Sequence, residues 1–353
     1  MIIDWKWIFQ RPQILSLMLE KDYSVTTIYP KILRDRKLCS ETSQMPQEFK
    51  EYFLIPFRDK FQLSRQLQTL ILRICSGKIA KYDIIWISYP TLFRVIPQNY
   101  KGIVVYDCMD NYSEMYSPGL FKNLGLSFLQ KQELSLLKRA DVVFASSSIL
   151  LEKLKYRSFN KPTILRNGFI SKNIFPPQKP QIKRNYHLGY IGTIAEWLNI
   201  ELLQKSLKYF NNIKYSLIGP VSVTPIHSDN IIYEGCVAHE NLFEKVKTYD
   251  ALLMPFYLNE IVLAVDPVKL YEYISYGKCI ISIYYPEIAR FRPFVYFYSN
   301  EEEYIDLIKN LSEAGFPPKY DQITQKSFLA GNSWDVRYKT ITQKLEEVYN
   351  EKN

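Results

Sequence analysis

Residues 187–193 read His187-Leu188-Gly189-Tyr190-Ile191-Gly192-Thr193, a short run with the aliphatic and aromatic bias of a strand, closed by a glycine where the chain must turn. It opens a series of strands predicted at 187–191, 215–218, 231–233, 251–255, 279–283 and 295–298, with helix-period segments between them. A similar series has already run through the first half, with strands predicted at 24–29, 52–55, 83–88, 103–107, 141–145 and 163–165. A helix is predicted over 124–139, where leucines and charges fall at helical spacing. The stretch 166–183 between the two series is rich in Asn, Pro and Lys, lacks periodicity, and reads as a linker. This alternation is that of an α/β protein, and the simplest architecture is two doubly wound, Rossmann-like domains facing each other across a cleft. Expected boundaries are 1–168, 169–335 and a terminal amphipathic helix, 336–353, marked by Tyr338, Ile341, Leu345 and Val348 and packing back on the first domain. Only ten residues precede the helical pattern that starts near Arg11, and of these only 1–3 have strand character. The first parallel strand is therefore expected to be short or missing, through a start placed too far downstream or a rearranged sheet edge.

The chain has 353 residues, 47% of them hydrophobic, enough for two sizeable cores. No apolar run reaches the roughly 18 residues of a membrane span, and the start lacks the grading of a signal peptide, so a cytoplasmic protein is expected. The five cysteines, Cys39, Cys75, Cys108, Cys236 and Cys279, are scattered and never form a C-x-x-C pair, which predicts reduced structural thiols. The three histidines, His187, His227 and His239, stand at no metal-ligand spacing, so neither a metal nor another cofactor is expected. The net charge of +9 suits nucleic acid, an anionic membrane surface or phosphate-bearing substrates. Because the cations are spread out rather than gathered in one run, nucleic acid is disfavoured, whereas a peripheral position on the inner face of the plasma membrane stays open.

Five segments, in order, carry a resemblance. They are 4–13, Asp4-Trp5-Lys6-Trp7-Ile8-Phe9-Gln10-Arg11-Pro12-Gln13; 106–111, Tyr106-Asp107-Cys108-Met109-Asp110-Asn111; 140–147 with Leu165-Arg166-Asn167-Gly168; 189–194; and 266–273, Asp266-Pro267-Val268-Lys269-Leu270-Tyr271-Glu272-Tyr273, with Gly277-Lys278. Together they resemble bacterial glycosyltransferases of family 4, of the teichuronic-acid-biosynthesis type. The resemblance implies a GT-B fold, with the nucleotide diphosphate sugar held by the C-terminal domain and a saccharide or lipid-linked acceptor held by the N-terminal one. It also implies hexosyl transfer with retention, in surface polysaccharide synthesis.

On physical grounds the strongest segment is 266–272. Asp266 suits an N-cap and Pro267 a first helical position, so free N–H groups near Val268–Leu270 would receive phosphate. Lys269 would then add positive charge where the leaving diphosphate develops negative charge, without a metal ion. The plainer reading is a helix start with solvated surface charges. By the resemblance, Glu272 binds the ribose hydroxyls, Glu196 and Trp197 border the donor sugar, and Val237, after Gly235-Cys236, lies where the base is held. Gly192 and Thr193 follow a strand where backbone can approach a pyrophosphate, although a simple turn would look the same. The spacing of Gly189 and Gly192 is not the dinucleotide fingerprint.

In the first half, Asp107 and Asp110 stand at the carboxyl end of a strand. There they would steer an acceptor hydroxyl or take its proton, unless they only cap and stabilise a turn. Gln10 and Arg11 open the first helix, where the guanidinium would grip an acceptor phosphate, and Trp5 and Trp7 would stack on sugars or simply pack. Two departures from the family pattern stand out: 193–200 has no basic residue, and Ala264 occupies the place of a glutamate. They favour, with the short first strand, a non-catalytic carbohydrate- or membrane-surface-binding protein on the same fold; a nucleotide-sugar 2-epimerase is a further alternative, against which the scarcity of histidine argues.

Overall fold

The structure is a computed structural model that describes residues 3–5, 9–31, 44–115, 122–170 and 174–352. The chain divides into two compact units, 1–166 with 337–353, and 167–336.

Unit 1 is built on parallel strands. β1 (Thr26–Lys31) pairs with β2 (Glu48–Phe53), while β3 (Ile84–Ile87), β4 (Ile103–Cys108), β5 (Val142–Ala145) and β6 (Thr163–Ile164) form a four-stranded sheet in that order. β4 and β5 are buried at every residue, as parallel strands covered on both faces must be. Of the helices α1 (Arg11–Leu19), α2 (Gln62–Ser76), α3 (Lys122–Arg139) and α4 (Ser148–Lys155), α3 packs on β4 and α4 on β5, while α2 packs on β2. Ser147 starts α4 by accepting the N–H of Leu150. The stretch 1–3, where the first strand is expected to be short or missing, falls largely outside the described residues, and Trp7 and Cys39 lie outside them.

Unit 2 holds one six-stranded parallel sheet formed by β7 (Tyr186–Ile191), β8 (Ile213–Ile218), β9 (Ile231–Gly235), β10 (Ala251–Met254), β11 (Cys279–Ile283) and β12 (Tyr296–Tyr298). The spatial order, β12-β11-β10-β7-β8-β9, is the doubly wound one, in which the chain leaves β7 for one edge and returns through β10 to the other. Its helices are α5 (Ile200–Ser206), α6 (His239–Lys247), α7 (Glu260–Leu263), α8 (Val268–Ser275), α9 (Glu301–Glu313) and α10 (Gln322–Gly331). α9 begins on Asn300, whose side chain accepts the Glu303 N–H, and three glutamates in its first turn face the positive end of the helix dipole. The described residues of the 166–183 stretch carry almost no regular structure, yet Phe169 bridges to Ser333, and the Phe175 N–H donates to the Ser275 carbonyl.

α11 (Trp334–Lys352) starts in unit 2, where Trp334 lies so close to Gly168 that a Cβ there would stand 2.8 Å from the indole. From residue 337 onward the helix belongs to unit 1, where Lys352 pairs with Asp141 at 2.8 Å and Tyr338 hydrogen-bonds Asp22. Cys75, Cys108 and Cys279 are free thiols.

Candidate functional site

In unit 2, β7 and β10 lie side by side at the point where the winding of the sheet reverses, and an open α/β sheet leaves a crevice at the carboxyl ends of such strands. α8 is tied to both ends through one residue. The buried Tyr273 hydroxyl accepts the Ile191 N–H at 2.9 Å and donates to the Leu253 carbonyl at 3.3 Å.

That placement brings Lys269 against Gly192. Gly192 has φ +145°, and a Cβ there would stand 2.1 Å from Lys269 Cε and 2.7 Å from Nζ, so the lysine fits only against a residue without a side chain. Gly219, which follows β8, has φ +139°, and a Cβ on it would meet the Gly192 carbonyl oxygen at 2.1 Å; the two turns therefore meet backbone to backbone. The Lys269 ammonium stands 5.8 Å from the Tyr190 ring centre and 5.9 Å from that of Phe256. Burial lowers its pKa, and Glu272 on the same helix opposes the shift. A desolvated cation of this kind, next to bare backbone, is suited to an anion.

Asp266 and Pro267 do not cap α8 as expected. Pro267 is itself the N-cap, one residue earlier than its predicted place, and Asp266 is turned inward. Its carboxylate accepts the Asn167 N–H at 2.6 Å and pairs with Arg290, while its carbonyl accepts the Asn167 amide at 2.7 Å. A carboxylate at 2% exposure must be met by donors and a cation, and these partners supply both. Leu270 also departs from expectation: its N–H donates to the Pro267 carbonyl at 3.2 Å and its side chain is buried. The helix-start donors left without an intrahelical acceptor are those of Val268 and Lys269.

Of the other donor-side residues, Thr193 is half-buried and its carbonyl accepts the Tyr190 hydroxyl at 2.9 Å. Glu196 is exposed, Trp197 packs half-buried on the core, and Val237 does the same after β9. Ala264, in the place of the family glutamate, is a buried residue closing α7. Arg290, a cation that no motif marked, is engaged by Asp266, the Tyr271 hydroxyl at 3.0 Å and Glu287.

In unit 1, Arg11 and Asp107 meet each other. Arg11 Nη2 donates to Asp107 Oδ1 at 2.6 Å and Nε to Oδ2 at 2.9 Å, while Nη1 donates to the Leu165 carbonyl at 2.8 Å. At 4% exposure the guanidinium faces inward, so its expected grip on an acceptor phosphate gives way to a buried ion pair that ties α1 to β4 and the end of β6. Asp107, fully buried, is the other half of that pair rather than an open carboxylate. Gln10 is the N-cap of α1, its N–H donating to Gln13 Oε1 at 3.4 Å. Trp5 has no exposed face for a sugar: it packs against Tyr29, ring centres 5.9 Å apart, and its indole donates to the Gln44 carbonyl at 3.1 Å.

Asp110, in the turn after β4, is only half-buried. Desolvation lifts its pKa to about 7, against the nearby Arg11 charge and with the help of Asp107. It is the carboxyl group of unit 1 best matched to proton handling near neutrality. Among the described residues, no three His, Cys, Asp or Glu side chains gather in a metal-holding group.

The two Rossmann-like units define a GT-B fold, the fold of nucleotide-sugar-dependent glycosyltransferases. Solved structures of this class match nearly the whole chain. Sucrose-phosphate synthase from Thermosynechococcus elongatus has a TM-score of 0.70 at 13% identity, over 96% of this chain and 93% of that one. HepE from Anabaena, solved with UDP and glucose, has a TM-score of 0.62 at 12% identity, over 90% and 91%. The lipopolysaccharide outer core galactosyltransferase WaaB has a TM-score of 0.58 at 14% identity, over 85% and 84%. No protein-family model matches the chain. In sequence, it is similar to TuaH of Bacillus subtilis (strain 168), provisionally described as a teichuronic acid biosynthesis glycosyltransferase, at 23% identity over 244 residues. That match covers 64% of this chain and 61% of TuaH.

Proposed function

We propose that the chain is a glycosyltransferase, moving a hexosyl group from a nucleotide diphosphate sugar to a saccharide or lipid-linked acceptor in bacterial surface polysaccharide synthesis. One observation carries the reading: the Lys269 ammonium lies against the Gly192 backbone, at the start of α8 and at the switch point of the sheet. A diphosphate placed there meets a fixed cation and the N–H groups of Val268 and Lys269, which stabilise the leaving group without a metal ion. Glu272, on the same helix, takes the ribose hydroxyls. Asp110 orients the acceptor hydroxyl, and in a retaining transfer the departing phosphate receives its proton. The similarity to TuaH, described as a teichuronic acid biosynthesis glycosyltransferase, supports a place in surface polysaccharide synthesis, and the UDP-bound HepE structures support a nucleoside diphosphate leaving group.

The test is a thermal-shift screen against UDP-, GDP- and dTDP-linked sugars, followed by a hydrolysis assay with each ligand that stabilises the protein. Slow release of nucleoside diphosphate is expected. An isomerised donor would establish an epimerase instead, and a chain that binds no nucleotide sugar would be left as a carbohydrate- or membrane-binding protein.

A pH prediction follows from Asp110. Activity is expected to rise with pH through an inflexion near 7 as the carboxylate forms, and Asp110→Asn is expected to abolish that limb. Stability moves the opposite way. Asp110 stays protonated up to about pH 7 in the folded chain but ionises near pH ~3.9 when unfolded. Its contribution is therefore complete below about pH 4 and is lost as the pH rises toward 7. Melting curves of Asp110→Asn should lack this component, and an unchanged pH dependence of both rate and Tm would refute the assignment.

A further inference from the structure

α2 turns a mixed face inward: beside the buried Leu72 stand Ser76 and Gln68, the latter with no exposed surface, accepting the Ile55 N–H at 2.9 Å and donating to the Phe53 carbonyl at 3.0 Å. Arg65 donates to the carbonyls of Asp59, Lys60 and Leu124. These bonds set the rotation of the helix and turn Leu63, Leu67, Leu70 and Ile74 outward, at spacings of four, three and four that align them in one stripe. Leu63 is 77% and Ile74 70% exposed, and Phe57 and Phe61 extend the apolar surface beyond the amino end of the helix. Four aliphatic side chains in line on the outside are more than scattered surface hydrophobes.

The charge carried by α2 and by the residues just before and after it is mainly positive. α2 contains no acidic residue; Arg73 is exposed on the helix, and Lys78 and Lys81 are exposed just after it. Lys60 precedes it, 5.6 Å from the Phe57 ring centre. The nearby acid Asp59 is buried and engaged by Arg94 and Arg58. A hollow beside the stripe is lined by Gln62, Arg65, Thr69, Arg73 and Arg94. With fifteen residues the helix is about 22 Å long, too short to cross a bilayer core of roughly 30 Å, and among the described residues no helix is long and apolar enough to do so. An apolar stripe on a helix that carries cations and no acid suits a helix lying in the plane of a lipid surface.

We infer that α2, with Phe57 and Phe61, docks unit 1 on an anionic phospholipid bilayer, the leucine stripe entering the headgroup boundary and Arg73, Lys78 and Lys81 meeting lipid phosphates. The net charge of +9 favours the same partner. This inference does not rest on the donor-site reading.

The test is co-sedimentation of the full chain with vesicles of phosphatidylcholine alone, or mixed equally with phosphatidylglycerol, at low and high salt. Binding to the mixed vesicles is expected, with release by salt and little binding to phosphatidylcholine alone. Leu67→Gln with Ile74→Gln should weaken binding at least about tenfold at unchanged Tm, because both side chains face outward. Arg73→Gln, Lys78→Gln and Lys81→Gln together should weaken it roughly a hundredfold and blunt the salt dependence. Wild-type protein that stays in solution, or binding indifferent to the leucine changes, overturns the inference. So does a dimer that the leucine changes dissolve, since the stripe would then be a contact between copies. Nucleotide-sugar titration of the same variants separates the two readings: lost vesicle binding with intact donor binding bears on α2 alone, and the converse on Lys269 alone.

Discussion

Replacing Lys269 by alanine is expected to lower turnover of the nucleotide sugar by about 10²–10³-fold, the range seen when one preorganised charge-stabilising group is removed from an active site. The lysine is positioned before any ligand arrives. Its side chain lies in the space left by the missing Cβ of Gly192, near the rings of Tyr190 and Phe256, on a helix tied to both strand ends by Tyr273. Its contribution grows as charge develops on the departing diphosphate, so the loss should fall more on kcat than on KM. Removing this half-buried cation also relieves a desolvation cost, so the apo protein should melt no earlier than wild type. Kinetics with the donor found by the screen, alongside apo melting curves, check both halves. A Lys269→Ala enzyme that retained wild-type kcat would remove the proposed phosphate site.

Arg11→Met is expected to destabilise unit 1 by about 3–5 kcal/mol, the usual result of stripping the partner from a buried charge. Asp107, without exposed surface, loses the guanidinium that meets both of its oxygens, and the Leu165 carbonyl loses a donor. For a unit of this size that corresponds to a fall in Tm of very roughly 6–20 °C. The double variant Arg11→Met, Asp107→Leu should recover most of the loss, because an apolar pair leaves no orphan charge. Removing Arg11 also removes the one charge that holds the Asp110 pKa down, so the inflexion near pH 7 should move upward in Arg11→Met. If Arg11 served an acceptor phosphate instead, the single variant would lose acceptor affinity at unchanged Tm, and calorimetry with steady-state kinetics distinguishes the two.

The strands were legible because buried parallel strands are written as short, nearly continuous apolar runs. The 279–283 run is β11 to the residue, and each of the other predicted runs overlaps an observed strand. The helix start near 268 was also legible, but its capping was not. Asp-Pro before a helix satisfies the N-cap pattern, yet Asp266 found better partners in Asn167, 99 positions away, and Arg290. No local rule contains such a pairing. Tyr273 and Asn167 lay within quoted motifs without a role, whereas Arg290 had no sequence signal.

Arg11 and Asp107 show the same limit from the other side. Each has the residue type and strand-end or helix-start position of a ligand-binding group, and the choice between binding a substrate and binding each other depends on a contact across 96 residues. α2 is the sharpest case: the sequence does not say which of its faces turns inward, and hydrogen bonds from Gln68 and Arg65, with the buried Leu72, set its rotation and left Leu63, Leu67, Leu70 and Ile74 outside. Periodicity, turn residues and local bias thus sufficed for the two α/β units, because these depend on residues close in the chain, whereas the meeting of Gly192 with Lys269 joins residues far apart in sequence and came from the fold. Which charges are neutralised inside, which stay available at the strand ends, and which apolar surface is left uncovered were decided by long-range pairing, where burying a polar group requires a partner that only the folded chain can bring.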